Sequence, residues 1–562
     1  LGAFNHLHIF IDPDPDPVVS FAERKRLYDL PRSAWSDYDQ KLLSPGGGIY
    51  DRKAKSIALS PETRRRFGIE KESLPPNELI RAMLKAEVDL LWMGGIGTYV
   101  KASDESQVEV GDRTNDALRV DARELRCKVV GEGGNLGFTQ RGRIEAALAG
   151  RRLNTDAIDN SAGVDCSDHE VNIKILLNDL VAAGDMTVKQ RNKLLVQMTE
   201  EVAQLVLRDN YLQTQAISVA ERQGWYRIDQ HGRFMRSLER MGKLDRYIEF
   251  LPDDESIKIR LAQRQGLTRP ELAVLLAYAK LTLYEELLPS DLPDDPQLVE
   301  DLMRYFPAVL QERFPEAIAH HRLRREIIAT YTTNSLVNRA GSTFVHVMKE
   351  KTGLAASDIA RAYAICRGVF ALRELWAEIQ ALDNQVPAEL QYDMLDATTR
   401  VAEAGTLWCL RNLPSPLNIA VHIEGFSPGI AELDRTIEEL ISEGGKKSLI
   451  ERVERLTKGG VPEDLAHRVA RLDFLAPGLD IVRMAKSAKR TVAEVGACYF
   501  AVGRRFHIDW LRSATSGVNL DTHWDRLAVA AIVEDLYGHQ RDLAASVMQQ
   551  ANGAGIDSWV EE

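Results

Sequence analysis

The chain has 562 residues, of which 44% are hydrophobic and 27% are charged, with 71 Lys and Arg against 83 Asp and Glu. This globular composition excludes wholesale disorder, and the formal charge of −12 argues against a dedicated nucleic-acid binder, which would carry a basic surplus. No apolar run approaches the roughly 20 residues that a membrane helix needs, and the five widely spaced cysteines favour a reducing, cytoplasmic compartment.

The first 180 residues have the pattern of alternating strands and helices. The chain starts at Leu1 inside an apolar run, so we expect it to be a piece of a longer polypeptide. The runs that indicate buried parallel strands are Leu1–Phe4 or His8–Ile11, Val88–Trp92, Lys128–Val130 and Ala157–Ile158. Helical stretches between them are Asn77–Ala86 and Gly142–Leu148. This order predicts a partial α/β sheet, doubly wound and Rossmann-like. Helix cores are the alternative, because periodicity alone does not separate the two.

The remainder of the chain is predicted to be a large all-α domain, which gives domains at 1–180 and 181–562. Thr268 and Glu271 form a capping-box pattern with Pro270 in the first helical turn. Further helix starts are predicted at Asp295-Pro296 and Val461-Pro462. Gly and Pro predict breaks at 289–296, 412–429, 443–446 and 476–479.

Polar and Gly-rich loops follow the predicted strands, and an open α/β sheet binds its ligands beyond the carboxyl ends of its strands. The three loops after the later strands contain Gly94-Gly95, then Glu132-Gly133-Gly134-Asn135, then Asn160 through Ser167 to Glu170. Each loop alone is ordinary, but at consecutive ends of one sheet they are predicted to line a common crevice.

The first strands are followed by Asn5 and, in an Asp-Pro repeat, by Asp12. An acidic residue after a strand can accept hydrogen bonds from an adenosine ribose. A stiff extended loop is the alternative explanation of the repeat, since each Pro holds its predecessor out of the helical region.

The loops, in this order and spacing, resemble the dinucleotide-binding domain of the glutamate dehydrogenases, in which E-G-A-N and N-A-G-G-V-x-x-S are typical stretches. The resemblance is strongest to the large bacterial NAD-specific subgroup. The stretches that carry it are Phe10–Asp16, Ser44–Arg52 and, in the helical region, Ile327–Ser335.

The resemblance implies an enzyme that oxidises L-glutamate to 2-oxoglutarate and ammonia with NAD, and we expect a homo-oligomer. It implies that Asn135 and Asn160 contact the cofactor near its ribose and nicotinamide, and that the cofactor lies over the turn at Gly94 and Gly95. Ser167 would help to hold the side-chain carboxylate of glutamate. A helix N-cap is the alternative role for Ser167.

The residue that receives the adenosine ribose aligns with Asn5 or with Asp12, and we favour Asp12 because a carboxylate is the better acceptor. The chain departs from the family pattern at Gly134, at Ser161-Ala162 and at Asp168-His169, where an aromatic residue is common.

The sequence contains no G-x-G-x-x-G at the start of a helix, and the resemblance implies that the catalytic lysine lies upstream. Gly444-Gly445-Lys446-Lys447 lacks the flanking pattern of that lysine. We therefore assign no catalytic residue and no metal site to this chain, and we expect it to be inactive alone. Two alternatives remain: an amino-acid dehydrogenase with an apolar substrate pocket, and a helical interaction or regulatory module.

Overall fold

The computed structural model describes residues 1–515, 518 and 523–550. Within these ranges all the strands are short and lie before residue 133. They are β1 (Gly2–Phe4), β2 (His8–Ile11), β3 (Gly48–Asp51), β4 (Ile57–Ala58), β5 (Ser73–Leu74), β6 (Leu90–Met93), β7 (Val100–Lys101), β8 (Val120–Asp121) and β9 (Val129–Glu132). Among the described helices, none is both long and apolar enough to cross a membrane.

The strands form four small sheets. β1, β2 and β3 pair antiparallel, as do β4 and β5, whereas β6 pairs parallel with β9 and β7 pairs parallel with β8. The expectation of parallel strands is therefore confirmed at β6 and β9, but it is wrong at β1 and β2. These two strands reverse at Asn5, whose side-chain oxygen accepts the amides of Leu7 and His8 at 2.8 and 2.7 Å.

The helices that accompany the strands are α1 (Pro17–Asp29), α2 (Pro61–Phe67), α3 (Pro76–Leu84), α4 (Gln107–Val110), α5 (Gln140–Leu148) and α6 (Asp156–Asp159). The predicted helices at 77–86 and 142–148 are thus confirmed as α3 and α5. The predicted strand Ala157–Ile158 is wrong, because these residues lie inside α6. Two apolar residues are too few to distinguish a strand from one helical turn.

From residue 162 onward every described element is helical, which confirms the all-α prediction for the described part of 181–562. The loop predicted from Asn160 to Glu170 is wrong beyond Ser161, because α7 begins at Ala162. The α-helices are α7 (Ala162–Ala183), α8 (Val188–Gln197), α9 (Thr199–Gln223), α10 (Ile228–Arg240), α11 (Asp254–Ala262), α12 (Arg269–Leu287), α13 (Val299–Tyr305), α14 (Ala308–Arg313), α15 (Pro315–Ala319), α16 (Arg324–Ala340), α17 (Phe344–Thr352), α18 (Ala356–Val369), α19 (Leu372–Gln380), α20 (Ala388–Asn412), α21 (Ile419–Leu440), α22 (Glu443–Lys458), α23 (Glu463–Arg471), α24 (Gly478–Ala488), α25 (Val492–Arg505), α26 (Ile508–Thr515) and α27 (His523–Gln550).

Helix ends follow the predicted capping chemistry in part. The Glu271 carboxylate accepts both the amide and the hydroxyl of Thr268 at 2.7 Å, which confirms the predicted start of α12. The breaks predicted over 412–429 and 443–446 extend too far, because α21 continues through Pro428 and α22 begins at Glu443.

The chain divides into two compact units that alternate along the sequence. The first contains Leu1–Glu170, Val202–Gly224 and Leu238–Leu275, and the second contains Val171–Glu201, Trp225–Ser237 and Leu276–Glu562. Four of the five divisions fall inside α-helices, namely α7, α9, α10 and α12. In the first unit, buried aliphatic side chains from strands and from α3 form the core, including Ile9, Leu79, Ile80, Val100 and Val130.

Candidate functional site

The candidate site lies in the first unit, where the loops after β6 and β9 meet. The last residues of the two parallel strands, Met93 and Glu132, are paired in register. The Gly134 amide donates to the Met93 carbonyl at 2.9 Å. A Cβ atom on Gly134 would lie 2.7 Å from the carbonyl carbon of Gly95, so this close approach requires glycine. The predicted cofactor turn therefore lies directly against the loop that leads to Asn135.

Asn135 and Asn160 are brought together as predicted. The side-chain amide of Asn160 donates to the Asn135 side-chain oxygen at 2.7 Å, although 25 positions separate the two residues. Asn160 terminates α6, and its backbone amide donates to the Asp156 carbonyl at 2.9 Å. The Asp156 carboxylate also accepts the Leu136 amide at 2.8 Å, and this hydrogen bond connects α6 to the loop after β9. The β9 loop and α6 thus form one hydrogen-bonded corner.

A buried ion pair lies beneath the hydrogen-bonded corner and connects its elements. The sequence alone does not predict this pair. Arg143 of α5 donates from Nε and Nη2 to the two carboxylate oxygens of Glu132 at 2.7 and 2.9 Å. The Glu132 side chain is only 1% exposed and the Arg143 side chain 6% exposed. Burial raises the pKa of the Glu132 carboxyl, while the hydrogen bonds from Arg143 oppose that shift. Arg143 also lies 3.1 Å from the Asp156 carboxylate, so one guanidinium joins β9 to α6.

α7 begins immediately after this corner and carries Ser167. Ser167 is exposed and lies in the second turn of a helix that begins at Ala162. The alternative that Ser167 is an N-cap is therefore wrong. The residues before α7 are held by Asn210 of α9, whose amide donates to the Ile158 carbonyl at 2.7 Å and to the Ser161 hydroxyl at 3.0 Å. No local pattern in the sequence marks Asn210, because its partners lie about fifty positions away.

Asp12 and Asn5 belong to the separate three-stranded sheet of β1, β2 and β3. The Asp12 side chain is buried, and its Oδ1 accepts the Ser44 amide at 3.2 Å and the Ser44 hydroxyl at a shorter distance. The Asn5 side-chain oxygen is engaged by backbone amides at the turn between β1 and β2. Both side chains therefore contribute to the local structure around β2.

The groups at the corner are suited to binding and orientation. A Cβ atom on Gly95 or on Gly163 would meet no atom within 4 Å, so a ligand can approach the backbone there. Asn135 and Asn160 supply amide donors and acceptors that do not titrate, and they fit the hydroxyl and carboxamide groups of a nicotinamide nucleotide. The arrangement can hold polar groups of a cofactor, but none of these side chains transfers a proton.

Two family models match the chain. The model described as bacterial NAD-glutamate dehydrogenase, catalytic domain, matches residues 1–220, and the model described as glutamate dehydrogenase, C-terminal, matches residues 264–562.

Curated proteins named NAD-specific glutamate dehydrogenase are similar to this chain over nearly its whole length. The protein of Pseudomonas aeruginosa is 50% identical over 568 residues, which is 100% of this chain and 35% of that protein. Those of Halomonas elongata and Mycobacterium tuberculosis are 47% and 43% identical, over 100% and 98% of this chain and 35% and 34% of theirs. The chain therefore spans about a third of the length of these relatives.

Proposed function

The chain belongs to the glutamate dehydrogenase family, and we propose that it forms part of an enzyme that catalyses the NAD-dependent oxidative deamination of L-glutamate. The products are 2-oxoglutarate and ammonia. The observation that carries the proposal is the hydrogen-bonded corner, in which Asn135, Asn160 and the Gly95 turn come together. We assign no catalytic acid or base to this chain, and the proposed catalytic lysine belongs to another part of the full polypeptide.

NAD supplies the hydride acceptor of this reaction when it is bound. The role of the chain is to place the cofactor and to restrict its orientation. Gly95 leaves the backbone open on the surface over which the nucleotide lies, and a Cβ atom on Gly94 would meet only the exposed Trp92 ring. Asn135 and Asn160 orient each other through their mutual hydrogen bond, and their remaining donors and acceptors hold the ribose and the carboxamide.

Ser167 is the proposed contact for the substrate. Its exposed hydroxyl, on the second turn of α7, can donate one hydrogen bond to the side-chain carboxylate of glutamate. A neutral hydroxyl orients that carboxylate but does not balance its charge. The proposal therefore requires a cationic side chain from elsewhere in the full polypeptide.

Asp12 is the proposed acceptor for the adenosine ribose, with Asn5 as the alternative. For Asp12 to bind the ribose, its buried carboxylate must become accessible, because Oδ1 accepts both bonds from Ser44 and Oδ2 is buried. For Asn5, the side-chain oxygen must release the amides that it accepts at the β1–β2 turn.

We propose that β6 and β9 are neighbouring strands of a Rossmann-like doubly wound sheet that other parts of the full polypeptide complete. Their parallel pairing supports this proposal, and the parallel bridge between Val129 and Arg152 adds a third chain segment at the other edge of β9. We further propose a domain boundary near residue 180, a homo-oligomeric enzyme and a cytoplasmic location. The last point is supported by the five cysteines, none of which is in a disulfide.

The proposal is tested by steady-state kinetics of the full polypeptide with Ser167→Ala and Asn160→Ala variants. Ser167→Ala should raise the KM for glutamate about tenfold, the loss expected for one hydrogen bond to a charged group, and should leave the KM for NAD unchanged. Asn160→Ala should raise the KM for NAD instead. Cys166→Ala, at the neighbouring exposed position of α7, is the matched control and should change neither constant.

Three outcomes would contradict the assignment. An unchanged glutamate KM in Ser167→Ala would remove the substrate role of that serine. Faster turnover of leucine or phenylalanine than of glutamate would identify a different amino-acid dehydrogenase. Turnover by the isolated chain at the rate of the full polypeptide would show that the chain contains its own catalytic acid and base.

A further inference from the structure

α7 and α9 bring three side chains of metal-ligand type together in the first unit. Asp165 and His169 lie four residues apart on α7, and Asp209 lies on α9. One donor atom from each, the carboxylate oxygens and an imidazole nitrogen, lies within 4.8 Å of the other two. The His169 ring is 2% exposed, whereas both carboxylates are partly exposed. The cluster therefore has a buried nitrogen donor and an opening toward solvent.

We propose that Asp165, His169 and Asp209 bind one divalent transition-metal ion, and that Zn²⁺ is the ion that fits best. Residues at i and i+4 share one face of a helix, which is the spacing that lets two ligands of one helix reach the same ion. The third ligand comes from a second helix, so the ion would link the first turns of α7 to α9. The sequence does not predict this metal site, because a ligand set divided between two helices leaves no compact motif.

The distances suit an ion of this class. The His169 Nε2 atom lies 4.0 Å from the Asp165 Oδ1 atom, which is beyond the range of a hydrogen bond. Zinc–nitrogen and zinc–oxygen bonds are roughly 2.0–2.2 Å long, so two such bonds at a tetrahedral angle place their donor atoms roughly 3.4 Å apart. A small rotation of either side chain therefore brings both donors to bonding distance from a shared ion.

The donor set discriminates between classes of metal. One imidazole with two carboxylates suits zinc or another first-row transition ion. Calcium and magnesium prefer an all-oxygen shell. With three protein ligands, water occupies the remaining coordination position on the partly exposed side.

This site is distinct from the proposed substrate contact. Ser167 lies midway between Asp165 and His169, about 200° around the helix from each, so it faces the opposite side of α7. The ion would act with the hydrogen bonds from Asn210, because both link α9 to the segment around the start of α7. We infer that the metal positions α7 rather than taking part in hydride transfer.

The test begins with removal of bound metal from the full chain by EDTA. The metal-free chain is then titrated with Zn²⁺ alone, and binding is measured by isothermal titration calorimetry. We expect one ion per chain, and we expect His169→Gln and Asp209→Asn each to weaken binding about tenfold or more. Asp168→Asn removes the same charge from an exposed neighbour that is not a ligand, and it should weaken binding far less than either ligand variant. Equal affinity in all four proteins would show binding elsewhere on the surface and would overturn the site, as would the absence of saturable binding.

A second measurement does not depend on the folding of the variants. Zn²⁺ should raise the Tm of the unmodified chain in a concentration-dependent way, and EDTA should reverse the increase. Asp209→Asn should lose this response while keeping the metal-free Tm within a few degrees. A metal-independent Tm in the unmodified chain would refute the proposal.

Discussion

The buried pair of Glu132 and Arg143 offers the sharpest test of how the candidate site is supported. Arg143→Met keeps most of the volume of the side chain and removes the two hydrogen bonds, 2.7 and 2.9 Å long, that Glu132 accepts. The carboxylate is then left in a site where its side chain is 1% exposed. Breaking one partner of a buried ion pair costs about 3–5 kcal/mol, and we expect a loss of that size in the free energy of unfolding.

The titration of Glu132 sets the upper limit of this loss. Burial already raises the pKa of the Glu132 carboxyl, and Arg143 opposes the shift. Without Arg143 the pKa rises further, so protonation removes the buried charge more readily as the pH falls. The loss in Arg143→Met should therefore be smaller at pH 6 than at pH 8. The double variant Glu132→Gln/Arg143→Met removes both charges and should recover most of the stability.

The assay is urea unfolding of the chain, monitored by circular dichroism. The matched control is Lys128→Met in the same β-strand region, because Lys128 lies 2.7 Å from Asp89 but the two side chains are 78% and 87% exposed. An exposed pair of this kind contributes about 0–1 kcal/mol. If Arg143→Met is no more destabilising than Lys128→Met, or if the double variant is no better than the single one, the pair does not support the corner as we argue.

Two further predictions concern backbone approach and acid sensitivity. Gly134→Ala should lower the free energy of unfolding by about 1–3 kcal/mol, since its Cβ would lie 2.7 Å from the Gly95 backbone. Gly95→Ala should leave the free energy of unfolding unchanged, because its Cβ would lie in open space. Equal urea midpoints for the two variants would refute this prediction. Burial, with a smaller effect of Arg227, lowers the pKa of His231 from 6.5 to about 4. The unfolded chain therefore binds the extra proton between those values, and stability falls by roughly 3 kcal/mol as the pH drops through that window. His231→Leu should reduce the loss of Tm between pH 7 and pH 4, and an unchanged loss would contradict the assignment.

The sequence predicts the parts of the fold that depend on local chemistry. The start of α12 follows from Thr268 and Glu271, which bond to each other across three residues. The predicted breaks around Pro428 and Gly444-Gly445 were wrong, the first for a tertiary reason and the second for a local one. Pro428 is retained within α21, whose buried face carries Ile430, and the Ser442 hydroxyl accepts the Gly445 amide at 3.2 Å and so caps α22. A Pro or Gly in the sequence indicates a loss of helix stability, but it does not show whether packing and capping outweigh that loss.

In the candidate site, too, the sequence predicts some contacts but not those between distant elements. Loop order along the chain was sufficient to predict that Asn135 and Asn160 lie together, and the hydrogen bond between them confirms this point. The sequence could not identify Arg143 or Asn210, because each acts through a partner on another element. The roles of Ser167 and of the other binding residues remain predictions that the kinetic variants test.

The alternation of the two units along the chain restricts where the polypeptide can be cut or recombined. A truncation at residue 180 ends inside α7, and it deletes Val202–Gly224 and Leu238–Leu275 from the unit that contains the corner. Such a product would lack Asn210 and its hydrogen bonds to the segment before α7, so its properties would not report on the second unit alone. No single junction therefore exchanges one unit intact, because Val171–Glu201 and Trp225–Ser237 of the second unit precede Leu275 of the first.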